Sequence, residues 1–575
     1  VGLDVKPSYR FGPFHLEPRE RRLRRDGAPV HLTPRVFDTL VRLVAAAGSV
    51  VTRQELLTEI WGGHVVEEGN LTNNIWVLRR TLGEAAIETV PRAGYRFVAA
   101  IESGTPDTRA PQSRPVLAVL PFRSLAGAQP EPALEQGLAD LLITLLSTVP
   151  ECIVRPLRAT LRFAPDEDPL TVGHALGADA VVEASLQITA EKVRINARLI
   201  RVADGTSLWA ESLDSPRGHL FEVEDRLAHR LAEALLGRLG GYSTPLAVAA
   251  PPRPQALQLY LDGRHSWERR EPRALDRALA FYSRAVELDP GFALAWAGIA
   301  DVHGVRSMVS DVRPADCFVP AREAIRRALE IDPGLAEAHS ASATVSFWFE
   351  WDWRGAATSC RRALAASPSL VSARLFLAHV CSNIGRHDEA LEEIDRACEI
   401  DPTSMLLHNL RATFLAHARR IPDALDQFDA TLAAHPDFWM ARLNRGKLLL
   451  HLDRVEEAIV DLQHAARLNP LSAQPLSMLT AATAHRGNES GARQILSQLE
   501  ARARQQWVPP TDLVLARLAC GDTDALDGLE HAYEDRDPRL TFLAVDTKWD
   551  AVRDDQRVKA LCARMRLAPE GVSAG

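Results

Sequence analysis

The 575-residue sequence predicts a multidomain α+β chain. It divides into a small head of helices and a β-hairpin, a central α/β sandwich and a C-terminal all-α superhelix. Three observations predict this. Residues 71–97 place Leu71, Ile75, Leu78 and Leu82 on one helix face, then read as a hairpin with Arg92, Ala93 and Gly94 at its tip. Residues 116–240 alternate short apolar runs with helical stretches, the pattern of a sheet covered by helices. From residue 255, Pro290, Pro333, Pro368, Pro402, Pro436 and Pro470 recur at spacings of 43, 35, 34, 34 and 34. A chain of this length exceeds one hydrophobic core, and 46% apolar with 25% charged residues is the composition of a folded globular protein.

In the head, residues 9–101, FGPFHL, RRLRR and PVHL read as short strands. Thr33 is placed to N-cap a helix with Pro34 at its first position. Phe37, Leu40, Val41 and Val44 supply that helix's core stripe, and Gly48 ends it. Thr52 and Glu55 form a capping box before Leu56, Leu57, Ile60 and Trp61, and Gly62 and Gly63 stop the second helix. Opposite its apolar stripe, the third helix presents Asn73, Trp76, Val77 and Arg80, flanked by Thr72 and Arg79. Amide, hydroxyl and guanidinium groups on a rigid helix suit the major groove of DNA, and an arginine-tipped hairpin suits the backbone or minor groove beside it. The net charge is −8, yet residues 1–100 hold 14 Lys/Arg against 11 Asp/Glu, a net of +3 that leaves −11 on the rest. Screening within about 8–10 Å makes the local balance the relevant one. Arg24 and Arg25 read as a solvated strand edge.

The motifs LTPRVFDTLVRLV, VTRQELLTEIWG, LTNNIWVLRRTLG and TVPRAGYRF, in this order and spacing, resemble the OmpR/PhoB-type winged-helix (helix-turn-helix) domain across 9–101. The resemblance implies a third helix in the major groove and a wing in the adjacent groove. On this sequence the groove-facing positions are then Thr72, Asn73, Trp76, Val77 and Arg80, with Thr89 and Arg92 on the wing. Thr52, Arg53 and Arg79 are expected at phosphates, and Asn73 and Arg80 at base edges, where amide and guanidinium groups pair bidentately with adenine and guanine. Two departures stand out: Val77 occupies a position often basic in relatives, and the wing reads PRAGY rather than RGxGY, as in the branch typified by membrane-bound or virulence regulators. Trp76 reads equally as a packed aromatic, and Arg79 as a surface ion pair. With the chain starting at the domain's first strand, aspartyl phosphorylation in cis is not the expected input.

Residues 102–115 and 241–254 are polar or Gly/Pro-rich linkers. Between them, residues 116–240 predict one mixed sheet with a few helices, the last over FEVEDRLAHRLAEALL. The pieces LAVLPF, EQGLADLLITLLS, ALGADAVVEASLQ and VRINARLIRVADGTSLWAE resemble the TolB-N/FlgO-like domain. Asp140, Arg155 and Asp179 are expected as surface polar residues rather than a pocket.

In residues 255–503, alanine stands twelve residues before each proline, at Ala278, Ala321, Ala356, Ala390, Ala424 and Ala458. A second stands five before it, at Ala285, Ala328, Ala363, Ala397 and Ala465, with Thr431 the exception. Small residues at helix crossings and proline at the turn, on a period near 34, resemble the tetratricopeptide repeat (TPR), here at least six copies. The extra residues before Pro333, around SMVSDVRPA, predict a longer inter-helix loop. The aromatic run 347–353 reads as inter-helix core with Asp352 capping the next helix, and residues 504–575 as degenerate repeats and a cap.

No phosphate loop, GxGxxG, GxSxG or HExxH motif occurs, so no enzyme and no cofactor is expected. Seven cysteines without a CxxC read as reduced thiols rather than a metal site, and no apolar run would span a bilayer. The sequence therefore reads as a cytoplasmic, bacterial one-component transcriptional regulator. Its partners would be double-stranded promoter DNA, a protein or peptide in the TPR groove, and RNA polymerase, with the central and repeat regions sensing a signal. The alternative is a TPR interaction scaffold with vestigial DNA binding.

Overall fold

A computed structural model describes residues 9–99, 114–124, 132–216, 230 and 252–567, apart from short stretches inside these ranges such as 18–21, 62–67, 84–85 and 189–191. The chain forms two compact units, Val1–Ser113 and Arg114–Gly575. The stop at Gly62 and Gly63, the helix expected over 221–236 and most of both linkers lie outside the described residues.

The first unit opens with an antiparallel sheet, β1 (Tyr9–Phe11), β2 (Phe14–Glu17), β3 (Arg22–Arg25) and β4 (Ala28–Val30), paired in sequence order. Helix α1 (Pro34–Ala45), strand β5 (Val50–Thr52), helices α2 (Arg53–Trp61) and α3 (Glu68–Leu82), and strands β6 (Ile87–Val90) and β7 (Gly94–Phe97) follow. Pro34 starts α1 as expected, but the Thr33 side chain makes no capping hydrogen bond. Gly48, at φ +83°, takes the left-handed turn after α1 that a side chain would strain. The capping box forms: Glu55 N donates to Thr52 Oγ1 at 3.2 Å, and Thr52 N donates to Glu55 Oε2 at 2.8 Å. Those hydrogen bonds hold the Glu55 carboxyl below its ordinary range. Strand β5, too short to stand out in the sequence, pairs with β7 to make a second sheet of order β5-β7-β6. A Cβ at Gly94 would overlap the Val51 carbonyl oxygen, so this pairing needs glycine there. Leu16, Phe37, Leu40, Leu56, Leu71, Ile75 and Phe97 share one core, in which Phe11 meets Phe97 edge-on at 5.0 Å.

The second unit begins with β8 (Val116–Val119), β9 (Arg123–Ser124), α4 (Pro132–Leu146), β10 (Ile153–Val154), α5 (Leu157–Thr160), α6 (Pro169–Ala175), β11 (Ala180–Ile188), β12 (Lys192–Arg201) and β13 (Ser207–Pro216). The sheet order is β10-β8-β11-β12-β13, with β9 also on β11. Pairing is parallel from β10 through β11 and antiparallel from β11 to β13, the mixed sheet that was expected. Asp140 and Arg155 are buried, which corrects their reading as surface groups. They also part company: Asp179 accepts from Val116 N at 2.7 Å, while Asp140 and Arg155 reach into the repeats.

The helices pair in order: α7 (Pro254–Glu268) with α8 (Pro272–Leu288), α9 (Ala293–Val309) with α10 (Pro314–Ile331), α11 (Ala336–Val345) with α12 (Trp353–Ala366), α13 (Val371–Asn383) with α14 (His387–Ile400), α15 (Met405–His417) with α16 (Ile421–Ala434), α17 (Trp439–His451) with α18 (Val455–Leu468), and α19 (Gln474–His485) with α20 (Glu489–Ala503). Every register alanine is fully buried, and Thr431 is buried with its hydroxyl donated to Gln427 O at 2.7 Å. The extra residues before Pro333 go chiefly into helix rather than loop, since α9 and α10 run 17 and 18 residues. The aromatic run is core, as expected: Phe347, Trp348, Trp351 and Trp353 are buried, and Asp352 caps α12 by accepting from Gly355 N. A π-helical turn at Ser346–Glu350 and a left-handed Trp351, at φ 57°, seat it.

The unit's own chain lines the face made by the first helices of the pairs. On one side, Arg264 Nε donates to Asp140 Oδ2 at 2.5 Å, Arg155 Nη1 to Ile400 O at 2.9 Å and Ser369 Oγ to Cys152 O at 3.4 Å. A Cβ on Gly137 would stand 2.6 Å from Leu261 Cδ2, so α4 crosses α7 at a point only glycine fits. On the other side, the segment after α20 returns: Phe542 packs against His379, His417 and Trp348, and Trp353 Nε1 donates to Met565 O at 2.9 Å. Between these walls lies a cavity of about 410 Å³. No helix among the described residues is long and apolar enough to cross a membrane.

Candidate nucleic-acid interface

The stripe Leu71, Ile75 and Leu78 turns one face of α3 into the core. That leaves the opposite face to solvent. Trp76 is 57% exposed, so it is not the packed aromatic the sequence left open. Arg80 lies over its ring at 5.5 Å, a cation–π pair that holds both flat groups on the outer face. Thr72, one turn earlier, is also exposed. Val77 is half-buried against the core and offers the groove little.

Arg79, expected at a phosphate, is committed to the protein. Its Nε and Nη2 donate to Ile87 O at 3.0 and 2.7 Å, and Nη2 donates to Thr89 Oγ1 at 2.8 Å. It thereby fastens α3 to the first strand of the hairpin, and Thr89, itself exposed, is its second acceptor. Arg53 is half-buried with its guanidinium over the Tyr95 ring at 5.9 Å, at the N-terminus of α2. Thr52 is exposed and its hydroxyl serves the capping box. Asn73 sits within α3, but its side chain, like Arg92 at the hairpin tip, lies outside the described residues.

Sequence reading overlooked Asn74. It is buried, and its Nδ2 donates to Thr39 Oγ1 at 3.0 Å and to Arg35 O at 3.3 Å, fixing the rotation of α3 against α1. The signal was available: position 74 falls on the same helical face as 71, 75 and 78. Of the groups expected at DNA, the structure brings Thr72, Trp76 and Arg80 together on one exposed face, with the β6–β7 hairpin locked beside it through Arg79.

The N-terminal unit matches the family model "Transcriptional regulatory protein, C terminal" over residues 27–97. Residues 346–404 and 412–473 match a tetratricopeptide repeat model. The transcriptional regulator HilA of Salmonella typhimurium is 23% identical over 423 residues, covering 72% of this chain and 74% of that protein. The transcriptional regulatory protein CutR of Streptomyces coelicolor is 39% identical over 99 residues, 17% of this chain and 46% of that one. A putative adenylate cyclase of Rhizobium meliloti is 28% identical over 190 residues, 33% of this chain and 32% of that one. The chain is thus built as a transcriptional regulator, with an OmpR/PhoB-type DNA-binding domain at residues 27–97 ahead of tetratricopeptide repeats.

Proposed function

We propose that the chain is a one-component regulator whose head binds promoter DNA as a winged helix, with α3 in the major groove and the β6–β7 wing in the adjacent groove. The observation that carries this reading is the exposed Thr72, Trp76 and Arg80 face opposite a buried apolar stripe. Arg80 and Asn73 read base edges, Trp76 offers an apolar surface to a thymine methyl, and Arg53 with the amides near Thr52 meets phosphates. Arg92 and Thr89 face the backbone or minor groove from the wing, and Arg79 positions that wing. Val77 adds only apolar contact. The second unit supplies the input and a surface for a protein partner, with RNA polymerase the other macromolecule beside the promoter.

The test is a gel shift with the full chain and with residues 1–113, a unit with its own core. The fragment should bind DNA from upstream of its own gene or its neighbours. Log affinity should fall linearly with log salt, at about −0.9 per neutralised phosphate. Absent or salt-independent binding by both proteins would overturn the reading.

A further inference from the structure

The cavity of about 410 Å³ in the second unit has a volume in the range of small-molecule sites, roughly 300–1,000 Å³. Its middle is aromatic. Trp348, Phe376 and Phe542 line it, with ring centroids 5.5 Å apart for Trp348–Phe542 and 6.4 Å for Trp348–Phe376. Its two ends differ in charge. Where α4, α9 and α11 contribute, the lining holds Asp140, Asp301 and Glu337, with Arg264 paired to Asp140 and burial pushing the Glu337 carboxyl up to about 7. Where α17 meets the returning C-terminal segment, it holds three cations, Lys447, Lys548 and Arg539, around one carboxylate, Asp546.

That cationic end is not used up by the protein. Asp546 Oδ2 lies 3.0 Å from Lys447 Nζ but 4.0 Å from Lys548 Nζ, beyond hydrogen-bond reach. Arg539 is 6% exposed, and its Nη1 has no hydrogen-bond partner. Asp311 and Asp512, behind it, stand 3.6 and 3.4 Å away. Burial pushes the Lys548 ammonium below the ordinary lysine range and the Asp512 carboxyl up to about 7, while Asp512, Asp537 and Asp311 together keep the Arg539 guanidinium charged. Along the wall, His379 is 5% exposed with an unpartnered Nδ1. Buried polar groups left in this state are costly unless something satisfies them.

We propose that this cavity binds a small organic monoanion, a carboxylate on an aromatic or aliphatic body. The carboxylate sits at Lys447, Lys548 and Arg539, and the body lies against Trp348, Phe376 and Phe542. The acidic far end selects against a second negative charge. This inference goes beyond DNA binding and does not depend on it.

The test uses the full chain without DNA. Calorimetry and thermal melts are run with phenylacetate, 3-phenylpropionate and octanoate, and with the amide and amine of 3-phenylpropionate and with succinate as controls. At least one monocarboxylate should bind at one site per chain, about tenfold or more tighter than its amide, amine or the dicarboxylate. Two variants locate the site. Lys548→Met removes a buried cation whose loss leaves the Lys447–Asp546 pair intact, and Thr413→Trp fills the cavity from α15 without altering charge. Both should keep the circular dichroism of the parent and lose binding. If no monocarboxylate binds, if the amide binds as tightly, or if binding survives in a folded variant of either kind, the proposal is wrong.

Discussion

Arg79 and Arg80 are neighbours in sequence with opposite employment. Arg79 makes three hydrogen bonds to the hairpin, so Arg79→Ala should destabilise the head by about 1–3 kcal/mol, read as a lower melting temperature of residues 1–113. Arg80 and Trp76 pair with each other on the exposed face, so Arg80→Ala should leave the stability of residues 1–113 within about 0.5 kcal/mol of parent while reducing discrimination among DNA sequences in competition gel shifts. Reversed results would mean that α3 is turned the other way. His379 adds a prediction for the second unit. Burial among aromatic rings lowers its pKa from 6.5 to about 3, so below pH 6.5 the unfolded chain takes a proton that the folded one refuses. Its contribution to stability is therefore complete above pH 6.5 and falls as the pH drops towards 3. His379→Phe should remove that loss, a relative gain of about 2 kcal/mol at pH 5 over pH 8, measured by urea unfolding at the two values. A variant whose difference from parent is the same at both pH values would show that His379 is not held neutral. At this scale the sequence was half legible. A helical period is local, so the inner and outer faces of α3 could be read, but Arg79's partner lies across a turn and leaves no trace in spacing.

At the scale of elements, the paired alanines decide how closely the helices approach. Ala390 and Ala424 are fully buried at successive crossings. Leucine at either position should overpack the crossing and cost about 1–3 kcal/mol, seen as a lower melting temperature of the second unit with DNA binding by residues 1–113 unaffected. An insensitive melt would refute the register. The repeat register was the most legible part of the chain, because a period repeated several times averages out exceptions such as Thr431. Two features escaped it. The residues before Pro333 look like loop by composition, yet packing lengthens α9 and α10 instead. Strand β5 has only three residues and exists because β7 offers it a partner.

For the molecule as a whole, the least legible feature is the covering of the repeat face by the chain itself. Its contacts join residues more than a hundred positions apart, such as Asp140 with Arg264 and Trp353 with Met565, and no motif marks either end. Arg155 is a buried clasp of this kind, with Nε on Leu176 O and Nη1 on Ile400 O. Arg155→Ala should cost about 1–3 kcal/mol and speed amide hydrogen exchange at the end of α6 and at the end of α14 together. Acceleration at only one of them would mean that the two elements do not share the clasp.

The returning C-terminal segment also orders events in time. Phe542 and Lys548 close the cavity, so a growing chain cannot complete it until residue 548 is made. The head, complete by residue 113, has its own core and can fold long before. At roughly 5–20 residues per second, about 20–90 s separate the two moments on the ribosome. A nascent, nicked or prematurely terminated chain would therefore hold a finished DNA-binding head and an array with one wall missing. Whatever control the second unit exerts, such chains would escape it.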